Sequence, residues 1–410
     1  MREVSPSPST LVATGCGTAI ACVCAVGLLE IERHLGGLWS VAAVLVAAGL
    51  CAALARVLGR LAQVVPSGVG LLAFLSRGLG RRRAMVVMLP YVVLVLALVA
   101  VEARIVGAIV ARLLPVPPLL GALAFLVGTW AVARAGVRPG LRAQAAATWA
   151  LMGGFVVLAV AALVRASHQP GFAERLLPAA PSLLAFAGGV GQALFLFMGF
   201  ELVTTQAELV RAPGAIATAL RRSVLVLAGF YGVAALGMAA LPATQGDVAP
   251  QFLLVPAAAG TIGAAGIGLL CLLASFTSWN GALLTLSRLV YALAAQGFLP
   301  RRLARMDSRR LVPPNALGAL LALAVLLTLV LDGHALVALV LGGAAASAAL
   351  VWAAAVAVRE RAPFAEAGRA PHRRFTALAL AALFLAFGAG AVVASWPHQT
   401  PNKGVIAHVR

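Results

Sequence analysis

The chain runs to 410 residues, 62% hydrophobic and 10% charged, with a formal net charge of +19. A soluble globular domain carries about 25% charged residues, so this composition excludes a water-soluble protein and requires an integral membrane one. The same charge in a soluble chain would point to nucleic acid; sorted by loop, it becomes an orientation signal instead.

A membrane-crossing helix takes about 20 mostly apolar residues. Windows of that kind occur at 11–29, 38–57, 84–112, 118–135, 143–164, 183–206, 221–241, 259–294, 315–331, 335–358 and 375–396. They give eleven spans and leave no room for a soluble domain. With the amino terminus in the cytoplasm, 23 basic residues fall in inner segments, among them Arg81, Arg82 and Arg83 and the five arginines of 301–310. Seven fall outside or near the outer helix ends, and Arg288 is left inside a span. This split predicts a multi-pass protein of the inner (plasma) membrane, amino terminus in the cytoplasm and carboxyl terminus outside.

The first span holds TGCGTAI (14–20), where Gly15 and Gly17 either break the helix or let a neighbour pack closely. All five cysteines (Cys16, Cys22, Cys24, Cys51 and Cys271) lie in spans, so no disulfide framework is expected. The third span carries Glu102, expected to pair with an arginine or to take a proton. The sixth reads FLFMGFELVTTQAELVRAP (195–213), with a carboxylate two residues after Gly199. Such a group cannot sit in hydrocarbon unless the backbone opens onto a polar cavity. At helical spacing Glu201, Thr204 or Thr205, and Glu208 form one polar stripe, with Glu208 near the inner end beside Arg211. The two glycine-interrupted spans are five apart, an odd number, so a second repeat beginning at the sixth is inverted relative to the first. No histidine lies in a span and no aspartate in the first eight, so neither a nucleophile with its base nor a metal set is available for an intramembrane enzyme. No cofactor is expected.

Three stretches carry a family resemblance. PSGVG (66–70) follows the second span, and FMGFELVTTQAELVRAP (197–213) covers the sixth. SFTSWNGALLTLSRLVYALAAQGFLPRRLARMDSRRLVPPNAL (275–317) covers the eighth, an inner loop and the start of the ninth, with Ser287-Arg288, Tyr291-Ala292, Gly297, Leu299-Pro300 and Pro314-Asn315-Ala316. In this order and spacing they resemble the amino acid-polyamine-organocation (APC) permeases, most closely the small bacterial permeases that export methionine and branched-chain amino acids.

The resemblance implies an all-α, five-plus-five inverted-repeat (LeuT-like) fold with helices one and six broken. The repeats would fall at approximately 8–165 and 180–358, with an extra helix at 375–396. It implies a secondary active transporter of amino acids, apolar ones by its nearest subfamily, working by alternating access coupled to a proton or sodium gradient. Substrate would sit between helices one, six, three and eight. Beside Gly15 and Gly17, the amides of Thr18, Ala19 and Ile20 would receive its carboxylate. Carbonyls around Phe197, Met198 and Gly199 would receive its ammonium, and the side chains of Phe197, Met198 and Phe200 its apolar part. Ala274, Thr277 and Ser278 match the carbonyl and hydroxyls that hold sodium in symporters of this architecture, although such hydroxyls often bond their own backbone instead. The rival coupling group is Glu201, a proton carrier whose charge follows the hydration of the cavity. Helix five has no lysine to supply the fixed positive charge that some relatives place at the sodium position. The family's Gly-Ser-Gly-Ile-Phe reads Gly17-Thr18-Ala19-Ile20-Ala21 here, Arg60 replaces an acidic residue, and no twelfth span follows residue 396. These departures keep a second expectation open, a transport-dead permease-like partner or sensor. Membrane lipid is the remaining expected partner, and nucleic acid is not one.

Overall fold

The computed structural model describes residues 6–239 and 254–331, except Arg211 and Pro213. Among these residues the chain is helical, with one isolated antiparallel bridge between Asp307 and Val312. The windows at 335–358 and 375–396 lie outside the described residues.

Backbone groups in hydrocarbon must be satisfied within their own segment, and each apolar window among the described residues is helical. The first window is two helices, α1 (Pro8–Ala19) and α2 (Cys22–Leu35), bent by 66°. Ser7 starts α1 by accepting the Thr10 N–H at 3.2 Å, with Pro8 at the first helical position. Gly36, at φ 72°, turns the chain sharply into α3 (Gly37–Val64). The short α4 (Leu71–Leu79) leads to α5 (Arg81–Leu113), α6 (Pro118–Ala135) and α7 (Val137–Ser167). One turn, α8 (Phe172–Leu176), precedes α9 (Leu183–Phe197), which continues after a break as a 3-10 segment, Phe200–Leu209. Then come α10 (Ala215–Ala239), α11 (Leu254–Ala295) and α12 (Pro314–Val330). Among the described residues seven helices are long and apolar enough to cross a membrane, eight with the bent pair, and α12 is a shorter apolar helix. Nine of the expected windows thus fall on helices.

The first half of the bent pair, α1, touches α7, α10, α11 and the 3-10 segment, which places these two halves of the broken spans, called the inner halves from the proposed orientation, at the centre of the bundle. Gly15 and Gly17 permit this crowding. A methyl group on Gly15 would meet the Ser223 hydroxyl of α10, and one on Gly17 would meet Thr148 and Gln144 of α7 and Thr277 of α11. Both glycines therefore serve close packing, and the first break falls at Ile20–Ala21, three residues beyond Gly17.

The residues that carry the family resemblance brace the 3-10 segment and its neighbours. Arg288 Nη1 donates to the Thr205 carbonyl at 3.1 Å, tying α11 to the 3-10 segment. The PSGVG turn lies against the same segment: side chains on Gly68 and Gly70 would strike Glu208 and Thr204. In the 296–313 connection, the Arg310 and Arg309 amides bond the Asp307 carboxylate at 3.0 and 2.9 Å and hold its carboxyl below the usual carboxylate range. A depressed acid stabilises the fold above its normal titration range, so this turn loosens only as pH falls through the lowered value. The Arg310 carbonyl accepts the Val137 N–H at 3.1 Å, docking the turn onto the start of α7.

Candidate functional site

The two helix breaks meet. At the first, the Ile20 N–H donates to the Cys16 carbonyl at 2.9 Å and closes the last turn of α1. The amides of Thr18, Ala19 and Ile20 therefore belong to the carbonyl end of the inner half, not to the start of the outer half. This corrects the expected start of the outer half, which begins at Cys22, beyond Thr18, Ala19 and Ile20. The leading donors of α2 are the amides of Cys22 and Val23, and they are occupied. Glu102 of α5 accepts Cys22 N–H at Oε2 (3.1 Å) and Val23 N–H at Oε1 (2.8 Å), and the Ser275 hydroxyl of α11 bonds Oε2 as well. A carboxylate suits the positive end of a helix, and Glu102 is only 1% exposed. The expected pairing with an arginine is not seen among the described residues. Arg104 turns to the end of α12, where Nη2 donates to the carbonyls of Thr328 (2.7 Å) and Leu331 (2.5 Å).

At the second break, Met198 is extended and Gly199 has φ 111°. The Gly199 N–H is shared between the two carboxylate oxygens of Glu201, at 2.9 and 3.1 Å, and the Tyr91 hydroxyl of α5 also bonds Glu201. The Gly199 carbonyl accepts the Leu202 N–H at 3.1 Å and lies 2.8 Å from the Thr18 hydroxyl, so it is committed within the protein. The Thr18 hydroxyl is equally within reach of the carbonyls of Thr14 and Gly15. Phe197 and Phe200 are buried in the core, Phe197 with its ring centroid 5.7 Å from that of Tyr231. Met198 is the partly open member of the trio and lies against the α5 cluster of Leu94, Ala97, Ala100 and Val101.

The expected polar stripe does not form as one face. A 3-10 helix has 3.0 residues per turn, so Thr204 stays in line with Glu201 while Thr205 and Glu208 rotate away. The two threonine hydroxyls bond the carbonyls of Glu201 and Leu202, each at 2.7 Å. Glu208 is exposed, and Arg211 lies outside the described residues.

On α11, the Thr277 hydroxyl donates to the Ala274 carbonyl at 3.0 Å, the backbone alternative to a sodium ligand. Gln144 Nε2 of α7 donates to the Thr277 carbonyl at 2.9 Å, and Asn280 Nδ2 donates to Gln144 Oε1 at 2.9 Å. The Thr148 hydroxyl donates to Ala13 of α1 at 3.1 Å. An uncharged network thus links α1, α7 and α11 beside Ala274, Thr277 and the buried Ser278. Tyr91, Gln144, Thr148, Ser275 and Asn280 were not singled out from sequence. Their signal was present nonetheless, since a lone amide or phenol in an apolar span is costly unless something satisfies it.

The model for the family described as amino acid permease matches residues 10–406. No curated protein matches the sequence. Among solved structures, the chain resembles Mhp1, a nucleobase-cation-symport-1 family transporter in a closed conformation with bromovinylhydantoin bound. The identity is 15%, the TM-score 0.67, and the match covers 96% of this chain and 91% of Mhp1. A substrate-bound, outward-open sodium-coupled sialic acid symporter matches at 12% identity and TM-score 0.67, over 95% of this chain and 90% of its own. A mutant manganese transporter of Eremococcus coleocola matches at 14% identity and TM-score 0.65, over 98% and 89%. Identities this low speak to the fold: the five-plus-five inverted repeat with helices one and six broken. With the family match, they make the chain a multi-pass secondary transporter and not an enzyme. The chain belongs to the amino acid permease family.

Proposed function

We propose that the chain moves small amino solutes of the amino acid class, with apolar side chains, by alternating access coupled to protons through Glu201. The repeats take 8–165 and 180–358, and substrate binds where α2, α5, α9 and α11 surround the two breaks. The observation that carries this reading is the geometry at Glu201. One buried carboxylate joins the broken backbone at Gly199 to Tyr91 on a different helix. An ionised carboxylate only accepts hydrogen bonds, whereas a protonated one must donate from one oxygen. Arrival of a proton leaves one oxygen for the Gly199 N–H and makes the other a donor. The Tyr91 hydroxyl, which accepts as well as donates, must then turn and reverse its bond to Glu201, so protonation is coupled to the link between the break and α5.

The sodium alternative is weaker, because the Thr277 hydroxyl and the Ala274 carbonyl, two of its three expected ligands, bond each other. Proteoliposomes with an imposed pH gradient and no sodium are expected to accumulate substrate. Accumulation that instead requires a sodium gradient sinks the proton assignment, and uptake under any gradient excludes a transport-dead partner.

The orientation we propose puts the amino terminus and the 301–310 arginines in the cytoplasm. A cysteine introduced at position 403 is expected to react with an impermeant reagent outside intact cells, and one at 305 to be protected. The opposite pattern reverses the orientation.

A further inference from the structure

We propose that Cys22 and Cys271 are an oxidisable thiol pair, and that its closure into a disulfide ties α2 to α11 and locks the first break. The pair itself follows from geometry; its effect on the cycle rests on the transport reading above.

The first break brings the two thiols together. Cys22 is the first residue of α2, just past the 66° bend, and Cys271 lies on α11 about one turn before Ser275. Glu102 fixes the approach of these elements, because its Oε2 takes both the Cys22 N–H at 3.1 Å and the Ser275 hydroxyl. Residues four apart share a helix face, so Cys271 belongs to the face of α11 that meets the start of α2. The Cys22 and Cys271 thiols are hydrogen-bonded to each other.

All five cysteines are free, and two of the others are turned elsewhere. The Cys24 thiol donates to the Ala19 carbonyl at 3.4 Å and the Cys16 thiol to the Ser223 carbonyl at 3.7 Å. Cys51 is buried in α3. Within the pair, Cys22 is buried and Cys271 half-buried, so a reagent meets Cys271 first.

The oxidant is an apolar disulfide, RSSR, a class that enters lipid. The Cys271 sulfur, as thiolate, attacks one sulfur of RSSR, forming a mixed disulfide and breaking the reagent's S–S bond; the Cys271 proton leaves with the first RSH. Cys22 then attacks Cys271 Sγ, the mixed disulfide breaks, and the Cys22 proton leaves with the second RSH. Two protein thiols lose two electrons, and one external disulfide is reduced to two thiols.

The packing explains why this bond would stop the cycle. Helix α2 lies mainly against α9, which packs on α3, whereas α11 lies mainly against α7, α5 and α6. A disulfide holds its two Cα atoms within about 7 Å, so it would join these two groups of helices at the bend itself. Hydrogen bonds across this seam can break and re-form in every cycle. An S–S bond cannot.

The test treats the purified full chain, in proteoliposomes, with 2,2′-dithiodipyridine. Peptide mass spectrometry is expected to find residues 22 and 271 joined with the loss of two hydrogens. Counterflow of L-leucine, L-methionine and L-phenylalanine is expected to fall tenfold or more, and dithiothreitol to restore it. Cys271→Ser is expected to keep its rate through the same treatment, and Cys22→Ser to stop at the mixed disulfide on Cys271. A wild type that stays unmodified at these positions, or stops at the mixed disulfide, overturns the inference. So does a 22–271 cross-link that leaves counterflow unchanged, or a loss of counterflow that Cys271→Ser shares. If the variants do not fold, the wild-type masses and the reversal by dithiothreitol decide alone. Absence of counterflow before treatment overturns the transport reading, and the peptide masses then still decide whether the thiols are a pair.

Discussion

Gly199→Leu is expected to abolish substrate binding and transport, and Gly199→Ala to do nearly as much. Gly199 sits at φ 111°, where a residue with a side chain is strained by about 1–3 kcal/mol. A methyl group built there would lie 2.5 Å from the Thr18 carbonyl oxygen and 3.0 Å from the Ala19 nitrogen. These are backbone atoms of the other break and cannot rotate aside, so the two breaks must separate. The same change at Gly17 meets mainly the ends of the Thr148 and Gln144 side chains, which can move at the cost of their hydrogen bonds. Ligand-induced thermal stabilisation and counterflow are the measurements. Normal binding by well-expressed Gly199→Leu protein would remove the meeting of the breaks as the basis of the site.

For Glu201→Gln the expected result is a split: binding and exchange survive, while accumulation driven by a pH gradient is lost. A glutamine keeps the size and an acceptor for the Gly199 N–H, but its amide nitrogen then faces Tyr91, whose hydroxyl donates in the wild type and must turn away to accept. Losing one such bond costs about 1–3 kcal/mol, within what a folded protein tolerates. What disappears is the ability to exchange a proton. Tyr91→Phe removes the partner and keeps the titrating group, so it is expected to retain gradient-driven accumulation at reduced rate. Undiminished accumulation by Glu201→Gln would reduce Glu201 to a cap on the break.

Hydropathy located the spans because lipid forces apolar segments into helices whatever their neighbours do. The second break was legible for a local reason: Met198-Gly199 is followed at once by a carboxylate that must be satisfied, and Glu201 reaches back two residues to do it. The first break was misplaced toward Gly17 because its cause is remote. Ala21 and Cys22 carry no mark of a helix start, and the acceptor for their end of α2 comes from Glu102 in a different helix. The polar stripe failed because a 3.6-residue period was applied to a segment that winds as a 3-10 helix. Of the two roles the sequence left open for the hydroxyls near Thr277, the backbone one is seen for Thr277 itself, which donates to the Ala274 carbonyl. The Gln144 amide on the Thr277 carbonyl comes from a different helix and is invisible as a neighbour in one dimension.

The contact between Thr18 and Gly199 also governs how the protein can move. A hydroxyl of α1 reaches the carbonyl at the second break, and the Gly199 backbone rests on the Thr18 carbonyl. The two inner halves are thus joined like blades on a common rivet. Opening of one half while the other stays shut would tear that joint, so such half-open states, through which solute would leak, are expected to be scarce. Fluorescent reporters placed on α1 and on the 200–209 segment should accordingly relax with a single shared rate constant, a concerted stroke in place of two successive ones.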